Sequence, residues 1–175
     1  MRVIVCVLVL LASLNARGQE FGPWKFGMSE QDIRSLDEFA PYKSFANGDV
    51  ETYKGVFAGR ERNFQFYLRD GRLRRIAVRM YEGNDIEHAA EAWLETYKAL
   101  SGIFGAVDIP YLESGTPEEI AHRARIRVEG GSKAQMAPRA QHAAQFVFCT
   151  FMAGDSPFGG KLFMVTVNID EPRRH

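Results

Sequence analysis

The stretch NFQFYLRDGRLRRIAVRMY, residues 63–81, decides how this chain folds. On its first arm Phe64, Phe66 and Leu68 alternate with Gln65, Tyr67 and Arg69, the period of a strand with one buried face. Asp70 and Gly71 favour a two-residue turn, and residues 73–81 return as a second strand. Such a loop sets Leu68 opposite Leu73. Continued without interruption, the register would pair Phe66 with Arg75 and Phe64 with Ala77, and turn Ile76, Val78 and Met80 to solvent. One extra residue at Arg74 and Arg75 restores Phe66 opposite Ile76 and Phe64 opposite Val78, so a bulge is expected there. A three-residue loop with a glycine bulge is the competing solution, and it turns Leu73 outward. Either way Tyr67, Arg75, Ala77 and Arg79 share the face away from the core.

Working outward, residues 21–36 (FGPWKFGMSEQDIRSL) carry helix-start signals. Ser29 is a good N-cap, Asp32 can return the bond as in a capping box, and Met28 and Ile33 are spaced for a hydrophobic staple. Trp24 and Phe26 either pack the N-terminus onto the fold or line an aromatic groove. Residues 51–57 are a further strand candidate. Beyond the hairpin, Asn84 or Asp85 caps a helix running to about Phe104. Its apolar residues Ile86, Ala90, Trp93, Tyr97, Leu100 and Phe104 are at helical spacing, and Gly105 follows. Thr116, Pro117 and Glu119 start another helix, which Gly130 and Gly131 end.

Residues 130–142 read as a long connection, of a length that is usually functional or mobile. Residues 145–152 are apolar on both sides and read as a central strand. Residues 162–169 place Phe163, Val165, Val167 and Ile169 on one side. Residues 153–160 have turn composition, and EPRRH is a tail. The order α-β-β-β-α-α-β-β predicts an α+β fold: an antiparallel sheet of about five strands with helices packed mainly on one face.

The ends and the composition bound the location. Residues 1–18 read as a secretory signal: Arg2, an uncharged apolar run over 3–14, then Ala16 and Gly18 at −3 and −1 of a cleavage point. The run is short for a membrane span. Cys6 sits inside it rather than just after it, which argues against a lipid anchor. Removing 18 of the 175 residues leaves 157, enough for one domain with a hydrophobic core. Arg2 and Arg17 leave with the leader, so 20 basic side chains stand against 22 acidic ones. That balance, with export, argues against nucleic acid as a partner. Cys149 is the one cysteine left, so no intramolecular disulfide is available.

Three groups of residues invite a chemical reading. Cys149 lies in a strand pattern and is expected to be buried and inert. Glu119 with His122, and His88 with Glu91, are helix-borne pairs that could converge on a metal, although each also fits a solvated helix face. Arginine is the most unevenly distributed residue: Arg69, Arg72, Arg74, Arg75 and Arg79 fall on one hairpin, and Arg123, Arg125 and Arg127 on one helix. Tyr67, Arg69, Arg75, Arg79 and Tyr81 are therefore the candidate ligand-binding residues, on a face suited to an anionic partner. The alternative is a solvated face whose arginine stems cover tyrosine rings and pair with nearby carboxylates. No cofactor is expected.

With WKFGMSEQDIRSL (residues 24–36) placed before YLRDGRLRRIAV (residues 67–78), the chain resembles a class of uncharacterised exported bacterial proteins. More distantly, the Gly27-Met28-Ser29 helix start is similar to that of the small lipoprotein of the outer-membrane β-barrel assembly machinery. The unit is also similar to the helix-then-meander units of secreted β-lactamase-inhibitor proteins. The resemblance runs from Phe21 to about Met80, and the chain departs from the assembly lipoprotein in lacking a lipidated cysteine and in adding two helices and two strands. It implies a non-catalytic envelope domain. The expectation is then a soluble exported protein, periplasmic in a Gram-negative host, that binds an envelope protein or an anionic envelope component. The alternatives are a small hydrolase or metal-dependent enzyme built on His88, Glu91, Glu119 and His122, and an inhibitor of an exported enzyme.

Overall fold

The computed structural model describes residues 21–111 and 115–172. The expected leader lies outside the described residues, as does the end of the tail. Eight strands form one antiparallel sheet: β1 (Tyr42–Ser44), β2 (Val50–Phe57), β3 (Arg60–Arg69), β4 (Arg72–Gly83), β5 (Val107–Asp108), β6 (Ala134–Pro138), β7 (Phe146–Asp155) and β8 (Lys161–Asp170). Three α-helices accompany it among the described residues: α1 (Glu30–Arg34), α2 (Ile86–Phe104) and α3 (Pro117–Glu129). The spatial order is β1-β2-β3-β4-β8-β7-β6-β5. The chain therefore steps from one edge to the centre, crosses on α2 to the other edge, and steps back to the centre.

The expected sheet of about five strands is corrected by this eight-stranded one. The three additional strands are β1, β5 and β6, of three, two and five residues. A two- or three-residue strand is too short to display a period, and β1 and β5 are the edges of the sheet. β6 falls inside the stretch expected to be a long connection. Ala134, Met136 and Pro138 are buried in alternation, but small residues and a proline conceal the pattern.

The hairpin of β3 and β4 has the register that the hydrophobic pattern demands. Leu68 faces Leu73, Tyr67 faces Arg75, Phe66 faces Ile76 and Phe64 faces Val78, with the bulge after Leu73. Asp70 and Gly71 turn with φ of 53° and 68°, positive at both as a type I′ turn requires. The turn joining β2 to β3 has the same geometry, with φ of 50° at Ala58 and 75° at Gly59. Alanine is poorly suited to that region. Ala58→Asn, which creates the favoured Asn-Gly pair, is expected to raise stability by about 0.5–1 kcal/mol in urea denaturation.

Both capping boxes form. The Asp32 backbone N–H donates to Ser29 Oγ at 3.1 Å, and the Ser29 N–H to Asp32 Oδ2 at 2.9 Å. These bonds from Ser29 hold the Asp32 carboxyl below its ordinary range, so its contribution is present above that range and lost as pH falls through the lowered value. Thr116 and Glu119 repeat the arrangement at α3.

The core is built on two different covers of the same sheet face. α2 packs on β4 and β8 through Ala89, Ala90, Trp93 and Leu100, and α3 packs on α2, β6 and β7. The β2–β3 side is covered by the N-terminal stretch, where Trp24 lies 4.8 Å from Phe66 and 5.3 Å from Phe64 between ring centroids. Phe21 stacks on Phe57 at 5.5 Å. The Gly27 N–H donates to the Leu73 carbonyl, and the Leu73 N–H to the Met28 carbonyl, which fastens this stretch to β4.

Candidate functional site

The opposite face of the sheet has no helix over it among the described residues, and its side chains run in cross-strand rows. One row is Lys43, Glu51, Gln65, Ala77, Asn168 and Phe148. The next is Asn63, Arg79, Thr166, Thr150 and Gln135. A third is Tyr67, Arg75, Asp170 and Phe146. The centre is polar, with Arg75 and Arg79 of β4 and Asp170 of β8 among Thr166 and Asn168, and aromatic rings stand at one end: Phe146 and Phe148 lie 5.7 Å apart, and Phe146 is 46% exposed. A groove of about 440 Å³ crosses the centre, and a larger recess of about 820 Å³ adjoins it beside Phe146 and Phe148.

Of the five residues proposed from sequence for ligand binding, Tyr67, Arg75 and Arg79 share this face. Arg75 is committed to Asp170, with Nε at 2.5 Å from Oδ1 and Nη2 at 2.8 Å from Oδ2, and this bonding raises its pKa further. Arg79 donates to Thr166 Oγ1 at 2.8 Å and to Gln65 Oε1 at 3.2 Å, and its Nε lies 3.0 Å from a Glu82 carboxylate oxygen. The Tyr67 hydroxyl donates to Gln65 at 2.8 Å. Arg69 is exposed at the end of the hairpin. Arg74 pairs with Glu171, so the hairpin arginines are largely matched by carboxylates of their own chain. That engagement argues against an anionic ligand as the reason for the face.

Tyr81 does not join the group. A register shift between Arg79 and Tyr81 sets it opposite Val165, a core residue, and its hydroxyl accepts a bond from the Asp85 N–H at the start of α2. The bulge that moves it was not visible as a break in residues 76–81, where the alternation reads straight through.

The helix-borne pairs do not meet. Among the described residues no three His, Cys, Asp or Glu side chains come together to hold a metal ion. Glu119 closes its own capping box, His88 Nδ1 leans on Asp85 Oδ2 at 3.3 Å, and Glu91 and His122 are exposed. Two ion pairs join α2 to α3 among the described residues: Arg125 lies 3.2 Å from Glu87, and Lys98 lies 3.0 Å from Glu118. Cys149 is fully buried, and burial pushes its thiol far up. A thiol reagent at pH 8 is expected to leave Cys149 unmodified in the native protein and to label it in denaturant, read by peptide mass.

Sequence reasoning missed Phe146, Phe148, Thr150, Thr166 and Asn168 as members of the face. The signal was present in residues 145–152, which are apolar on both sides. One of those sides is core, through Val147, Cys149 and Phe151, and the other is this open surface.

Compared with known proteins, the chain matches no family model, no curated protein and no solved structure. No helix among the described residues is long and apolar enough to cross a membrane.

Proposed function

We propose that this is an exported, non-catalytic binding module of the bacterial envelope that docks a partner protein on the open face of its sheet. The observation that carries the reading is the uncovered face itself. It offers a polar centre, where Arg75 and Arg79 are each paired with a carboxylate of the same chain, and aromatic residues at one end. Protein interfaces are likewise enriched in aromatic residues and arginine. A sheet of eight strands spaced about 4.8 Å apart also provides on the order of 800 Å² on one side, the footprint of a standard interface. The export half of the reading rests on residues 1–18.

The test places a photocrosslinking phenylalanine at Phe148 or Tyr67, with exposed His122 on α3 as the control. Discrete adducts from the sheet positions in the native envelope, absent from the control, are the expected result. Equal adducts from all three positions, or none from the sheet, would remove the proposal. A second reading, an inhibitor of an exported enzyme, draws on Phe158, which is 97% exposed at the tip of the β7–β8 hairpin. It predicts that Phe158→Ala, and not the sheet positions, abolishes partner capture.

A further inference from the structure

Glu51 is the one buried acidic residue among those described, 5% exposed as a residue and 7% at its side chain. It is not on the helix side. Its position in the row Lys43–Glu51–Gln65 puts it on the open face, in a recess of about 640 Å³ bordered by Phe45, Tyr53, Asn63 and Arg79. A buried carboxylate is costly unless paired and hydrogen-bonded, and it offers about four acceptor positions. Glu51 has two long contacts: the Asn63 Nδ2 donates at 3.3 Å, and Lys43 Nζ lies at 3.5 Å. The other cation bordering the recess, Arg79, is held by Glu82, Thr166 and Gln65.

Lys43 shows what the recess is suited to hold. Its ammonium touches the Glu51 carboxylate and also stands 4.9 Å from the centre of the Phe45 ring. A carboxylate beside an aromatic face is the pairing that recognises an organic cation. Lys43 is nevertheless a loose occupant: it belongs to the three-residue edge strand β1, and its side chain is 69% exposed. Tyr53, 65% exposed, leaves a second ring at the border.

We infer that the Glu51 recess is a subsite for a basic side chain of the docked protein, a guanidinium or alkylammonium group, and that Lys43 is a self-ligand which that group displaces. The inference rests on the open face being the docking surface, and it names the chemistry recognised there. It explains why a charge is kept buried at the surface of a sheet where a neutral residue would pack at lower cost.

The probe is N-acetyl-arginine amide, with N-acetyl-lysine amide as the second cation and N-acetyl-citrulline amide as the neutral isostere, titrated into the isotope-labelled chain by NMR. Saturable shifts at Glu51, Asn63 and Gln65 in the millimolar range are expected for the cations and none for citrulline. The stronger of the two cations identifies the side chain that the partner supplies. Lys43→Ala removes the competitor and should tighten binding about two- to five-fold, the scale of an exposed ion pair. Glu51→Gln should abolish saturation, with its fold checked by near-UV dichroism. Should that variant not fold, Lys43→Ala decides alone: unchanged or weaker binding of the cations overturns the inference. So does equal binding of citrulline. Crosslinks at Phe148 without cation binding would remove this subsite and leave the docking face, while cation binding without crosslinks would do the reverse.

Discussion

Trp93→Ala is expected to lower the stability of the fold by about 3–5 kcal/mol, the range for truncating a large core aromatic. For a chain of this length that corresponds to a fall of roughly 10–15 °C in Tm. Trp93 is fully buried near the middle of α2 and lies 6.0 Å from the ring of Phe151 on β7. It sits where the crossing helix meets the half of the sheet that closes last along the chain, so no neighbouring backbone can collapse into the gap without moving α2. Its indole N–H is buried without a hydrogen-bond partner, which already costs the native state. Trp93→Phe should therefore lose much less than alanine, because the ring stays and the unpaired donor goes. Equal losses for the two substitutions, measured by urea titration, would show that the indole fills a role other than packing.

Trp24→Ala is expected to cost about 3 kcal/mol or more by the same argument, from a different part of the molecule. Trp24 is 6% exposed, and its ring meets Phe39 at 4.5 Å as well as Phe64 and Phe66. No α-helix packs heavily on β2 or β3, so the N-terminal stretch is what keeps those phenylalanines from water. The loss should be concentrated there. Hydrogen exchange in the Trp24→Ala variant is expected to rise first at β1, β2 and β3, while β7 and β8 stay protected. Uniform loss of protection would mean that the two covers of the core unfold as one unit.

These two tryptophans mark how far the sequence could be read. Trp93 is recognisable from periodicity, one of several apolar residues at helical spacing between a cap and a glycine. Trp24 is not, because it belongs to no periodic segment. That it packs on the fold and does not line a groove follows only from Phe64, Phe66 and Phe39 standing around it. The candidate site divides in the same way. Tyr67, Arg75 and Arg79 were placed on one face by the hairpin register alone. Their carboxylate partners Asp170 and Glu82, and the Thr166 hydroxyl, lie on β8 or beyond a bulge, and pairing between strands distant in sequence cannot be deduced from either strand.

The sequence by itself determined the local structure: the caps at Ser29 and Thr116 and a cap at Asn84 or Asp85, the turn at Asp70 and Gly71, and the bulge that keeps Ile76 and Val78 opposite phenylalanines. Each is a choice made by a few neighbouring residues, or by one hydrophobic pattern that has a single way to be buried. Tertiary structure alone decided that β8 lies beside β4, that three short strands extend the sheet to eight, that Tyr81 turns to the helix side, and that Glu51 is buried on the open face. All of these depend on which distant segments meet. The gain from such meetings comes from contacts across the sheet, and it leaves no period in the chain that makes them.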